Sequence, residues 1–350
     1  MRVKVPVVRQ RWVDVPSSII NVVQRKFRCG CEQNEHLVLV AADFDATLVD
    51  SLNGYSHKSP IRGAAVEPPI MTLLRENIPF VVITAARQEE MQRRLIDPIR
   101  ESLIEEGNLE FLRNLTVYAN LGAIRSSFTE KGEVAANGVE EYREQFVIPE
   151  EDQEVLESTM REIGWDFWGK YTRNPMTMTA QYPGFGFREP KVEIQGGVKL
   201  TLSPLPGEAR PEYMWLIQQK LRQQGSDDLA VKYRIAPGGR TTIDVTSSQL
   251  HKGTALQDAM RRFGMPHELP EHVIYFGDSF VVAEPDGYGR INEGKDVPVL
   301  RLGDAVIPIG VNENQDELKK MQRVIPGGSG PRATAAWLAY FVRKLLDAIK

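Results

Sequence analysis

Cysteine is almost missing from this chain, which has only Cys29 and Cys31. A two-residue step along one segment does not suit an ordinary disulfide, so the pair implies free thiols in a reducing compartment. The 5 histidines are scattered and match no familiar zinc spacing. Excess positive charge is lacking as well: 43 basic residues face 47 acidic ones, a formal net charge of -4. A protein that clamps nucleic acid needs a basic surplus to neutralise phosphates, so no nucleic-acid partner is expected. No stretch approaches the ~20 apolar residues that cross a bilayer, and the opening MRVKVPVVRQRW has no signal-type apolar core. The expectation is a cytoplasmic protein with no membrane partner. Oligomeric state leaves no mark on the sequence.

What is present is enough chain for two units. With 350 residues, 42% of them hydrophobic and 26% charged, the composition is that of a globular protein, and domain sizes of ~100–200 residues favour two domains over one. Residues 37–43 (LVLVAAD), 79–84 (PFVVIT) and 272–276 (HVIYF, followed by Gly277-Asp278) are apolar runs of strand length that end in polar groups. Buried parallel strands read this way, and open parallel sheets bind ligands at the carboxyl ends of their strands. Three such endings imply one shared site.

The interval between the second and third of these runs has another texture. Residues 191–203 (KVEIQGGVKLTLS) predict a hairpin turning at Gly196-Gly197, residues 229–235 and 241–246 predict two more strands, and residues 212–224 predict a helix with one apolar face. The expected fold class is therefore α/β: a Rossmann-like parallel-sheet core over 35–111 and 249–350, an inserted α+β cap domain over 112–248, and an N-terminal arm over 1–34. Later segments add a helix after Gly253, apolar runs at 297–301 and 305–309, and an amphipathic helix over 332–349.

The strand endings carry the parts of phosphoryl transfer: a carboxylate nucleophile, an acid for the leaving oxygen, a cation at the phosphate and a metal to mask charge. In Ala42-Asp43-Phe44-Asp45-Ala46-Thr47, Asp43 takes the place of the nucleophile. Asp45, two residues on, points the same way from an extended backbone and takes that of general acid and base. Thr47 is a hydroxyl that can bind phosphate. A DxDxT segment alone is equally well a solvated turn or a helix cap. Here it has company. Thr84 and Arg87 follow the second strand, Lys252 precedes a helix, and Asp278 follows the third strand, with Asp286 eight residues later. Thr84 is equally a helix cap, and Lys252 equally a solvated lysine, when each is taken singly. Carboxylates gathered at one sheet edge repel one another unless a divalent cation sits among them, and an all-oxygen set favours magnesium, Mg2+.

Taken in this order, these segments resemble those of the haloacid-dehalogenase-like phosphatase superfamily, over about residues 37–310. The resemblance implies that Asp43 and Asp278 ligate magnesium with the backbone carbonyl of Asp45, that Asp286 supports the metal, and that the long insertion is a cap of the larger, second type. Ala46 departs from the pattern, since the family has glycine there. A finer resemblance, to eukaryotic-type phosphomannomutases, rests on VEIQGGVKLTLSP (192–204) and PGGRTTIDV (237–245) followed by HKGTAL. It implies that Thr242 and Asp244 contact substrate hydroxyls, although both read equally as ordinary strand residues.

The arginines with which such a mutase clamps its second phosphate have no counterparts: Gln195, Gly207 and Leu52 stand at or near those positions. Arg188, Lys191, Arg210 and Arg240 are the nearest other candidates for an anion contact. Loss of bidentate guanidinium clamps harms a mutase most. The expected activity is hydrolysis of a small phosphorylated metabolite, a sugar phosphate first, with a sugar phosphomutase as the alternative. A binding module without turnover is the third reading.

Overall fold

The computed structural model describes residues 38–50, 60–136, 139–225, 227–238, 241–265, 273–280, 294–312, 314–321 and 323–349. The arm, both cysteines, Arg240 and Asp286 lie outside these residues.

The three apolar runs form adjacent parallel strands: β1 (Leu39–Ala42), β2 (Phe80–Ile83) and, taking the label of its place in the chain, β9 (Val273–Gly277). The core sheet has seven strands in the order β11-β10-β9-β1-β2-β3-β4, where β3 is Leu115–Ala119, β4 is Ile124–Ser127, β10 is Val306–Gly310 and β11 is Ile325–Pro326. All neighbours are parallel except β3 and β4. Residues 115–127, read from sequence as part of the insertion, thus complete the core sheet, and the insertion begins after them. Residues 297–301, read as an apolar run, belong to a 3-10 segment, Val297–Ala305.

Alternation along the strands splits the core into two layers. Val40, Ala42, Phe80 and Val82 face one side, with residues of the helices Glu67–Arg75, Asp97–Glu105 and Gly330–Ile349. Leu39, Ala41, Val81 and Ile83 face the other, with the helix Lys252–Arg262. Because β1, β2 and β9 are buried on both faces, they read as continuous apolar runs rather than alternating ones.

The insertion builds a second sheet of four antiparallel strands in the order β5-β6-β8-β7: β5 (Lys191–Gln195), β6 (Lys199–Ser203), β7 (Tyr233–Pro237) and β8 (Ile243–Ser247). The hairpin turns at Gly196 and Gly197, with φ of 60° and 71°. Residues 229–232, expected in a strand, instead belong to a short helix, Asp227–Lys232. Leu200, Leu202, Ile243 and Val245 pack under the helices Glu150–Arg173 and Arg210–Gln223, alongside Phe167, Tyr213 and Ile217. The opposite face is polar and meets the core: Arg87 of the core pairs with Glu193 of β5, and Lys295 of the core donates to the carbonyl of Gly238 at 3.3 Å. No helix among the described residues is long and apolar enough to cross a membrane.

Candidate active site

Asp43 stands one residue beyond β1, where its backbone N–H still continues the ladder to the carbonyl of Phe276 at 2.8 Å. Its Oδ1 accepts from the N–H of Phe44 at 2.7 Å. Its Oδ2 lies 2.7 Å from Nζ of Lys252. Lys252 is the first residue of its helix, capped by His251, whose Nδ1 accepts from the N–H of Thr254 at 3.0 Å. At 1% exposure it is far from a solvated lysine. Burial opposes its charge, but Asp296, Asp43 and Asp278 outweigh that and hold the ammonium above its ordinary range.

Asp296 is the residue the sequence reading missed. It is fully buried, and its Oδ1 accepts from Lys252 Nζ at 2.7 Å and from the Tyr275 hydroxyl at 2.6 Å. Its Oδ2 accepts from the N–H of Ser279 at 2.8 Å. Gly277 admits it: a Cβ on Gly277 would lie 2.5 Å from Asp296 Oδ2, so this strand end tolerates no side chain. Carboxylate oxygens of Asp43, Asp278 and Asp296 lie within 4.8 Å of one another. Burial, then Asp43 and Asp296, push the Asp278 carboxyl up to about 8. Burial likewise raises Asp43, against the pull of Lys252. Asp43, Asp278 and Asp296 outnumber the two lysines whose charges act on them, Lys252 and Lys295, and a hard divalent cation with oxygen ligands answers that deficit. Asp43, Asp278 and Asp296 fit magnesium on these grounds, and Asp296 is the third acid among the described residues.

The loop after Asp43 supplies further groups. Ala46 sits at φ 61°, the left-handed region that favours glycine, and its N–H donates to the carbonyl of Val49 at 2.9 Å. Thr47 is fully buried, and its hydroxyl has no hydrogen-bond partner among the described residues. Thr84 is buried at the end of β2, and its Oγ1 accepts from the N–H of Ala86 at 3.1 Å, the bond of a local turn. The Asp45 side chain does not join the three carboxylates. Its Oδ1 accepts from the Arg94 guanidinium at 2.9 Å. Arg94 is itself buried, bonded to Glu90 at 2.6 Å and set over the Phe44 ring at 4.6 Å. It belongs to a π-helical turn, Gln92–Ile96, a distortion that recurs at functional sites.

On the cap, Asp244 is buried and accepts from the Thr201 hydroxyl at 3.0 Å, while Thr242 lies at the β7–β8 turn beside it. Gly238 backs onto both, since a Cβ there would meet Thr242 Oγ1 and Asp244 Oδ1. Arg87 spends its charge on Glu193. Arg188 borders a separate cap cavity of about 460 Å³ with Phe185, Phe187 and Thr241.

No protein-family model matches the chain, and no curated protein matches it by sequence. Solved structures do match it. An N-terminally truncated Plasmodium falciparum IMP-nucleotidase aligns over 95% of this chain and 74% of its own, at 14% identity and a TM-score of 0.56. The IMP-bound form of that enzyme aligns over 87% and 68%, at 16% identity and a TM-score of 0.54. An Aspergillus fumigatus trehalose-6-phosphate phosphatase aligns over 93% of this chain and 97% of its own, at 14% identity and a TM-score of 0.53. Identities this low speak for architecture, and function rests on the site. With the order of its strand-end residues and its inserted sheet, the chain has the capped haloacid-dehalogenase-like fold.

Proposed function

We propose that this chain is a magnesium-dependent phosphatase that hydrolyses a small phosphorylated metabolite, a sugar phosphate first, through an aspartyl phosphate on Asp43. One observation carries the reading: Lys252 Nζ lies 2.7 Å from both Asp43 and Asp296 in a buried group that also contains Asp278. A lysine buried among three acids is costly as mere structure, and such strained groups gather at catalytic sites.

In the first step an Asp43 carboxylate oxygen forms a bond to phosphorus as the bond to the leaving alkoxide oxygen breaks. Asp45, protonated from solvent once it has left Arg94, which holds it at 2.9 Å, hands that proton to the leaving oxygen. In the second step Asp45 takes a proton from water, whose oxygen bonds to phosphorus as the Asp43–phosphorus bond breaks. Lys252 balances the charge of Asp43 and the incoming phosphate throughout. The hydroxyls of Thr47 and Thr84 are assigned to phosphoryl oxygens. Asp43, Asp278 and Asp296 would hold magnesium, with the carbonyl of Asp45 as the further ligand the family resemblance implies, and the ion masks repulsion between the nucleophile and the phosphoryl group. Thr242 and Asp244 are assigned to hydroxyls of the substrate.

The test is release of inorganic phosphate from a panel containing para-nitrophenyl phosphate, glucose 6-phosphate, trehalose 6-phosphate and IMP, with and without magnesium. Turnover that needs the metal and vanishes in Asp43→Asn supports the reading. A folded, metal-loaded chain inert across the panel, or turnover that survives Asp43→Asn, refutes it.

A further inference from the structure

Alternation along the cap strands puts one set of side chains on the face turned to the catalytic aspartates. Leu200 and Leu202 of β6 enter the cap core, so Lys199 and Thr201 share the other face. In register with them stand Gln195 and Glu193 of β5 and Thr246 and Asp244 of β8. A chain of hydrogen bonds crosses this face. Gln195 Nε2 donates to Thr201 Oγ1 at 3.3 Å, and Thr201 donates on to Asp244 Oδ1 at 3.0 Å. That order fixes the amide of Gln195, and its Oε1 is buried with no partner among the described residues.

Lys199, directly across the strand pair from Gln195, is 5% exposed, and among the described residues its ammonium has neither a hydrogen-bonded nor an ion-paired partner. The charges near enough to act on it are Asp244, Lys295, Arg87 and Glu193. Arg87 and Glu193 already neutralise each other. That leaves two lysines and one carboxylate. Lys295 ties this face to the site: its ammonium bonds the cap at Gly238 O, and the charges of Asp244, Asp43 and Asp278 all act on it. The hairpin tip closes the remaining edge, since Gly196 accepts from Arg143 at 2.9 Å and sits over Asn120 at the end of β3.

An ammonium buried with no bonded partner, and sharing the charge of Asp244 with Lys295, is unfavourable, and burial lowers the proton affinity of Lys199 accordingly. A ligand that brings the missing charge removes that penalty. We propose that Lys199 and Lys295 form a second anion site across the cleft from Asp43, so that the substrate is a phosphate monoester bearing a further anionic group, carboxylate or phosphate, at its other end. Gln195 Oε1, beside Lys199, then accepts a hydrogen bond from a neighbouring hydroxyl. This deepens the phosphatase reading and rests on it.

The experiment compares matched pairs that differ in the second charge. Gluconate 6-phosphate against glucose 6-phosphate is the carboxylate arm, and fructose 1,6-bisphosphate against fructose 6-phosphate is the phosphate arm. At least one doubly charged member should exceed its partner in kcat/KM by about ten- to hundredfold, the worth of one charge-assisted hydrogen bond, with the gain carried by KM. Lys199→Met should cut that ratio at least tenfold, and Lys199→Arg should keep most of it. If the methionine variant does not fold, Lys199→Gln gives the same reading. A wild-type ratio near one in both arms, or a ratio unmoved by removal of the Lys199 charge, overturns the proposal. Para-nitrophenyl phosphate has no second anion, so its magnesium-dependent turnover and loss in Asp43→Asn report the phosphatase reading separately.

Discussion

Replacing Asp296 by asparagine keeps the shape of a fully buried side chain and removes its charge. The wild-type carboxylate accepts three bonds, from Lys252 Nζ at 2.7 Å, Tyr275 Oη at 2.6 Å and the Ser279 N–H at 2.8 Å. Asparagine retains one carbonyl oxygen for Lys252 and Tyr275, but its amide then points N–H groups at the N–H of Ser279. Bonds to a charged group contribute about 1.5–3 kcal/mol each against about 1 for neutral ones, and an orphaned buried donor costs about 1–3 kcal/mol. The expected loss is about 3–5 kcal/mol, the range found when one partner of a buried ion pair is removed. Asp296 is also one of the charges raising Asp278. Its removal relieves some repulsion in the metal-free protein, so the metal-free loss belongs near 3 kcal/mol and the magnesium-loaded loss near the top of that range. Urea unfolding with and without magnesium measures both. Magnesium affinity, followed by calorimetry, should fall at least about tenfold. An unfolding free energy within about 0.5 kcal/mol of wild type, with magnesium affinity unchanged, would refute the role given to Asp296.

Two more outcomes follow from the same geometry. The folded-state pKa of Asp278 is raised to about 8. Its protonated form therefore lends stability below the ordinary carboxylate range, and this is lost as pH rises toward 8. Metal binding needs the carboxylate, so the gain in Tm on adding magnesium should grow between pH 6 and pH 8, and a pH-independent gain would contradict it. Ala46→Gly removes a left-handed alanine that costs about 1–2 kcal/mol and adds unfolded-state freedom that costs about 0.4–1 kcal/mol, so a stabilisation of up to about 1.6 kcal/mol is expected from denaturant unfolding. A clear loss of stability in that variant would show the φ of 61° to be unstrained.

The strand-end positions of Asp43, Thr84 and Asp278 were legible because each terminates a run buried on both faces, and such runs announce both the strand and its end. Asp296 was not, since no described strand ends at it and its bonds to Tyr275 of β9 and to Ser279 are made only in the folded chain. β4 (IRSS) was missed because an antiparallel edge strand with polar side chains lacks the apolar signature of its neighbours. The helix Asp227–Lys232 was misread because a short apolar run fits either element. Lys199 was within reach: KLTLS alternates, and with Leu200 and Leu202 inside, Lys199 and Thr201 must share the other face. Gln195 is neutral where a mutase has an arginine, but the residue paired with it across the hairpin, Lys199, is a cation.

The two-residue period of the cap strands separates two kinds of change. Substitutions at Leu200, Leu202, Ile243 or Val245 act on the packing of the cap, and substitutions at Gln195, Lys199, Thr201 or Asp244 change the face that meets the core. Adjacent positions thus answer to different demands, and one set can vary while the other is held. A cap built this way can change the chemistry of that face while its own core, and the acids at the edge of the parallel sheet, stay untouched.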